Sequence, residues 1–146
     1  MKILGEVVFI DTNVWVARMF ADHPFHERAR ERLNELVQGE KRLGLSSQII
    51  REIISVCTLG RNLSRAMAWE ELRMQLDPIF SQTIFLNETE FSAKLLIELG
   101  QRLAIRGKQI HDTNIVAVML AHEVPRLVTF NPDDFKRFDE IELIVP

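Results

Sequence analysis

Asp11, Glu52, Asp112 and either Asn131 or Asp134 are the side chains whose types and positions could do chemistry in this 146-residue chain. Asp11 directly follows Val7-Val8-Phe9-Ile10, an unbroken apolar run typical of a strand buried on both faces of a parallel sheet. Polar residues just past such a strand's carboxyl end lie in the crevice where ligands bind. Asn131 and Asp134 follow a second run, Leu127-Val128-Thr129-Phe130, and the same rule sends them to the same edge. Asp112 opens a predicted helix and shares the face of Ile115, Val116 and Met119. Glu52 sits just off a helical apolar face made by Ile49, Ile50, Ile53, Ile54, Val56 and Cys57, with Gln48, Arg51 and Ser55 opposite.

Each position alone has an ordinary structural reading. Asp11 or Thr12 can cap a helix, Asn-Pro-Asp-Asp is turn chemistry, and Glu52 can be solvated. Asp112 can be an N-cap, although no Glu or Gln stands three residues later to complete a capping box. As a set they mean more. Carboxylates crowded into one cleft raise each other's pKa unless a cation neutralises them, and all-oxygen ligands select hard Mg²⁺ or Mn²⁺ over zinc. Such a cage, with one ion or two, implies phosphoryl chemistry by activated water, without a serine or cysteine nucleophile.

The elements that must position these residues are legible from periodicity and punctuation. A helix is expected from Asn13 to Phe20, broken by Asp22-His23-Pro24. A second has Ala29, Leu33, Leu36 and Val37 inward and Gly39 at its end. A strand at Arg42–Leu45 precedes a helix capped by Ser46 or Ser47, and a further helix is expected from Ser64 to about Leu76. Thr83–Leu86 reads as a strand, Asn87 or Thr89 as the cap of a long helix ending near Arg102, Arg106 and Gly107, and Ile141–Val145 as an edge strand. Strands alternating with helices predict an α/β fold with a parallel sheet. No repeat or linker divides it, so residues 1–146 read as one domain.

Composition narrows the possibilities. With 47% apolar and 27% charged residues the chain is neither disordered nor fibrous. A single cysteine, Cys57, excludes an internal disulfide or a four-thiolate zinc site and fits a reducing cytoplasm. The start, MKILGEVVFIDTN, is too short an apolar run for a signal peptide or a membrane span. A net charge of -3 argues against a surface coated in basic residues, so any nucleic-acid grip must be local. Arg102, Arg106 and Lys108 before Asp112, and Arg51, Arg61 and Arg65 around the Glu52 helix, could hold phosphates; each also reads as helix-end or surface charge. Trp15, Trp69, Met67, Met74 and Cys57 read as core or interface.

Four segments carry a family resemblance: Phe9-Ile10-Asp11-Thr12-Asn13; Arg51-Glu52-Ile53; Ile110-His111-Asp112-Thr113-Asn114-Ile115-Val116-Ala117; and Thr129-Phe130-Asn131-Pro132-Asp133-Asp134-Phe135. In that order they resemble the motifs of PIN-domain nucleases, and among those the small VapC-type ribonuclease toxins of toxin-antitoxin pairs. The resemblance implies a three-layer α/β/α domain and an Mg²⁺- or Mn²⁺-dependent endoribonuclease acting on single-stranded or structured RNA. It further implies a cognate antitoxin and a homodimer. It makes Asp11, Glu52 and Asp112 metal-binding acids, with Asn131 where many relatives have Asp and Asp134 as the nearby carboxylate. Thr12, Asn13 and Thr129 become supporting residues.

Rival readings lack their residues. An HD-type phosphohydrolase needs histidine spacings that His23, His26 and His122 do not supply. A phosphate-accepting receiver would have paired acids after the first strand, where Asp11 is followed by Thr12 and Asn13. Nucleotide-binding glycine loops and an RNP-like aromatic strand are absent from the sequence. A catalytically silent PIN-like binding module and a non-toxin RNA-processing nuclease are the remaining alternatives.

Overall fold

The computed structural model describes residues 5–146; residues 1–4, which begin the amino-terminal stretch discussed above, lie outside the described residues. Strands β1 (Val7–Ile10), β2 (Arg42–Leu45), β3 (Thr83–Phe85), β4 (Arg126–Val128) and β5 (Glu142–Ile144) form a sheet of order β3-β2-β1-β4-β5. All four pairings are parallel, and Phe9 of the central strand stands between Gly44 and Leu127. Val8, Phe9 and Ile10 are fully buried, which explains why β1 reads as an unbroken apolar run.

Helices α1 (Thr12–Met19) and α2 (His26–Gln38) connect β1 to β2, α3 (Ser47–Leu59) and α4 (Trp69–Gln82) connect β2 to β3, and α5 (Glu90–Arg102) and α6 (Gln109–Ala121) lead back to β4. The sheet grows one way through β2 and β3, then restarts on the other side of β1. Right-handed crossovers therefore put α1–α4 on one face and α5–α6 on the other, giving the three expected layers. The packing agrees, with α1 against α2 and α3, and α5 against α6.

Local chemistry fixes the ends. Ser46 accepts from the Ile49 amide to cap α3, and Thr89 caps α5 in a reciprocal capping box with Ser92. In α6 the run Ile115–Met119 is buried throughout, so this helix is enclosed on more sides than a single inward stripe requires. Among the described residues, no helix is long and apolar enough to cross a membrane.

Three expectations need correction. The helix expected from Ser64 begins at Trp69 and runs through Pro78 to Gln82. Residues 61–68 instead fold back along α3, where the Met67 amide donates to the Cys57 carbonyl at 2.8 Å. Pro78 removes one backbone donor, but Leu72, Leu76 and Ile79 keep a buried stripe that carries α4 past it. Val37 and Val56 do not join the core; they are 56% and 38% exposed, and Val56 turns to the cleft described below. Trp15, Met67 and Cys57 are buried as expected, whereas Trp69 and Met74 lie on the surface.

Gly60 ends α3 in the left-handed region at φ +72°, and a Cβ there would stand 2.6 Å from the Ala66 nitrogen and 2.7 Å from its Cα. Both backbone strain and a backbone clash oppose a side chain. Gly60→Ala is expected to lower stability by about 2 kcal/mol or more. Thermal unfolding should then show a midpoint loss of at least about 5 °C; an unchanged midpoint would contradict the tight turn.

Candidate functional site

The site is built where the sheet changes direction. Strand order reverses between β1 and β4, and chain leaving the carboxyl ends of these adjacent strands opens a crevice. Asp11 follows β1 and Thr129 follows β4, so sheet topology alone joins residues separated by 118 positions.

Asp11 is only 7% exposed and accepts three hydrogen bonds. The Thr12 amide donates to Oδ1 at 2.8 Å, while the Thr129 hydroxyl and Asn13 Nδ2 donate to Oδ2 at 2.8 and 3.3 Å. Asn13 also reaches β4, since its Oδ1 accepts from the Phe130 amide at 3.1 Å and its Nδ2 lies 3.4 Å from Thr129 Oγ1. Thr129 Oγ1 in turn accepts from the Asn131 amide at 3.0 Å. One buried hydroxyl thus orients the carboxylate and shapes the loop after β4.

Glu52 enters from α3. The Thr12 hydroxyl donates to its Oε2 at 2.5 Å, and Gln48, one turn earlier, donates to its Oε1 at 3.3 Å. On a helical wheel Gln48 falls on the polar side of α3, yet it is buried. Its Nε2 donates to the His111 carbonyl at 2.8 Å and its Oε1 accepts from Asn114 Nδ2 at 2.7 Å. This amide ties α3 to α6 across the crevice. The only signal for it in the sequence is its place four residues before Glu52, on the same helical face.

Asp112 lies in the first turn of α6, which begins at Gln109, so it does not act as the N-cap. Asp134 belongs to the 3-10 turn Pro132–Phe135, and Asn131 immediately precedes it. Asp11, Glu52, Asp112, Asn131 and Asp134 line one open cleft of about 730 Å³, together with Thr12, Asn13, His23 and Arg61. Val16, Val56, Leu59 and Leu63 form its apolar wall.

The electrostatics reflect crowding. Burial pushes the Asp11 carboxyl up to about 6, against the pull of its hydrogen bonds from Thr129 and Thr12, with Glu52 and Asp112 adding repulsion. Burial likewise raises Asp112 to about 6, reinforced by Asp134 and Glu52 and opposed by Arg137 and His111. Asp112 therefore feels two further carboxylates and Asp11 feels two, the mutual repulsion expected of a shared cation site. Among the described residues, no three His, Cys, Asp or Glu side chains close on a single point. The site is a carboxylate-lined cleft rather than a finished coordination cage.

Of the expected basic residues, Arg61 lines the cleft and the others do not. Arg51, Arg102, Arg106 and Lys108 are exposed and do not line the cleft, and Arg102 is paired with Glu140. Arg65 forms a two-point ion pair with Glu71 at 2.8 and 2.5 Å. Arg61 is the cation in the cleft wall, and Arg137 is the one whose field opposes the rise at Asp112. In the sequence only its position three residues after Asp134 marks Arg137.

The solved structures that resemble this chain share its fold at low identity. A VapBC2 structure from Rickettsia felis bound to a promoter DNA fragment matches with a TM-score of 0.68 at 22% identity, covering 96% of this chain and 98% of that one. DNA-bound VapBC from Salmonella typhimurium gives 0.66 at 20% identity, covering 97% and 98%. VapC20 of Mycobacterium tuberculosis, described as a Sarcin-Ricin loop cleaving toxin, gives 0.66 at 17% identity, covering 90% and 95%. No curated protein matches by sequence. The PIN domain family model matches residues 8–141, a span that holds every carboxylate of the cleft, and the chain belongs to the PIN domain family.

Proposed function

We propose that residues 1–146 act as one PIN nuclease unit, a divalent-metal-dependent endoribonuclease that serves as the toxin of a toxin-antitoxin pair in the cytoplasm. The observation that carries this reading is the meeting of Asp11, Glu52, Asp112 and Asp134 on one cleft from four separate parts of the chain. Their hard oxygen donors suit Mg²⁺ or Mn²⁺, one ion or two, and the carbonyl of the Asn131 side chain can add a neutral ligand. A bound divalent ion supplies activated water and neutralises charge developing on phosphorus oxygens.

The protein's own residues hold this chemistry in register. Thr129 and Asn13 orient Asp11, and Thr12 and Gln48 orient Glu52. Arg61 stands in the cleft wall as a phosphate contact, with Arg51, Arg102, Arg106 and Lys108 proposed as contacts for RNA running beyond the cleft. The similar structures include VapBC complexes and a loop-cleaving VapC toxin, which supports an RNA substrate and a cognate antitoxin here. A homodimer is part of the same proposal.

The open spacing of the carboxylates and the uncharged Asn131 favour one second reading, a silent PIN-like binding module. Cleavage separates the two. Asp11→Ala or Asp112→Asn should lower Mg²⁺- or Mn²⁺-dependent cleavage of RNA at least about 100-fold while circular dichroism stays native. Undiminished cleavage in EDTA by the purified protein would reject metal catalysis, and no cleavage under any divalent ion would favour the silent module.

The raised carboxyls also set a stability signature. With folded values near 6 for Asp11 and Asp112 against 3.8 when exposed, the folded chain binds more protons than the unfolded one between about pH 4 and 6. Metal-free stability therefore falls as pH rises through that window and carries the full penalty above it. Asp112 is half-buried and partly screened, so Asp112→Asn in EDTA should raise the unfolding midpoint by only about 2 °C at pH 8 and by nothing near pH 4. Mg²⁺ should stabilise the parent protein and reverse the order; a variant less stable than the parent at pH 8 in EDTA would contradict the repulsion.

A further inference from the structure

Beside the cleft, Phe25 adds an exposed ring to Phe130, which itself packs against the core. Phe25 occupies the N-cap position of α2, where a small polar side chain would normally satisfy the free amides, and it makes no capping bond. It is also 40% exposed, so it is not a core residue. Its ring stacks on Phe130 with centroids 4.8 Å apart and planes 26° from parallel. The Arg28 guanidinium lies 5.0 Å from the Phe25 centroid and 5.3 Å from that of Phe130. Two donations from Arg28 to the Pro146 carbonyl, at 3.0 and 2.6 Å, hold it there.

This cluster is continuous with the cleft. His23 lines the cleft, its ring lies 5.9 Å from that of Phe25, and its Nδ1 accepts from the Phe25 amide at 3.0 Å. Phe130 directly follows Thr129, which donates to Asp11, and the Phe130 amide donates to Asn13. The ring pair is therefore fixed to the residues that hold the buried carboxylate.

The cleft itself presents carboxylates, which repel a polyanion. Binding energy for RNA must come from beside them, and a partly exposed aromatic face next to a cation is the surface on which an unpaired base stacks. We propose that Phe25, backed by Phe130 and flanked by Arg28 and His23, is a stacking platform for an unpaired nucleobase of the RNA whose backbone enters the carboxylate cleft. This rests on the RNA reading above and adds a binding residue to it.

Equilibrium binding of a labelled, unstructured RNA by fluorescence anisotropy tests the platform, in an Asp112→Asn background that prevents cleavage. Phe25→Leu and Phe25→Ala should weaken binding about tenfold and Phe25→Trp should retain it. Leucine keeps an apolar side chain against Phe130 and Arg28 but has no π face. With a backbone-only abasic RNA the differences should vanish. Equal binding by the Leu, Ala and parental proteins, an equal loss on abasic RNA, or no measurable RNA binding by the parent each overturns the platform and leaves the ring pair for a protein partner. Cleavage by the otherwise unaltered protein is scored separately. Cleavage with Phe25-independent binding removes the platform alone, whereas Phe25-dependent binding without cleavage keeps the platform and removes the nuclease.

Discussion

The buried carboxylate of Asp11 is the constraint around which the rest of the site is arranged. A desolvated aspartate is costly unless hydrogen-bond donors or a cation compensate it. Three donors do part of this, drawn from the next residue, from the first turn of α1 and from the end of β4. Their pull does not overcome burial and the fields of Glu52 and Asp112, and the carboxyl stays well above its ordinary range. The sheet supplies the geometry for this arrangement because β1 and β4 are paired up to their carboxyl ends, which sets Thr129 beside Asp11.

A second constraint is the amide latch between the two helical layers. Gln48 binds Glu52, the His111 carbonyl and Asn114, so α3 and α6 cannot shift independently without breaking the hydrogen bonds of a buried amide. Asn114 extends this set to Glu88 at 3.1 Å. Glu52 and Asp112, which bring charge from the two helices, are thereby held at a defined separation by neutral side chains. Buried polar networks of this kind specify position when every member is satisfied.

Much of this was legible in the residues. Asp11 and Asp134 could be sent to one sheet edge because the apolar runs before them mark buried parallel strands, and Ser46, Thr89 and Gly39 carry recognisable helix punctuation. What was hidden depended on distant partners. Gln48 looks like a solvent residue on a helical wheel because the wheel contains no α6, and its burial comes from His111 and Asn114. Ser64 looks like a helix start because it precedes a periodic run, but the left-handed turn at Gly60 draws the following residues back along α3. The charges of Arg51, Arg102, Arg106 and Lys108 are readable, but not that tertiary packing leaves them outside the cleft lining.

The junction of β1 with β4 also imposes an order of assembly. Residues 7–10 must wait for residues 126–128 before the central strand gains its second neighbour, a long-range pairing that slows folding. During synthesis the emerging amino-terminal part carries Asp11 without the Thr129 hydroxyl that orients it and without Asp112 or Asp134. The carboxylate cleft is thus absent from partial chains and forms only after the late strand docks, so its birth is timed by topology rather than by the local sequence around any one acid.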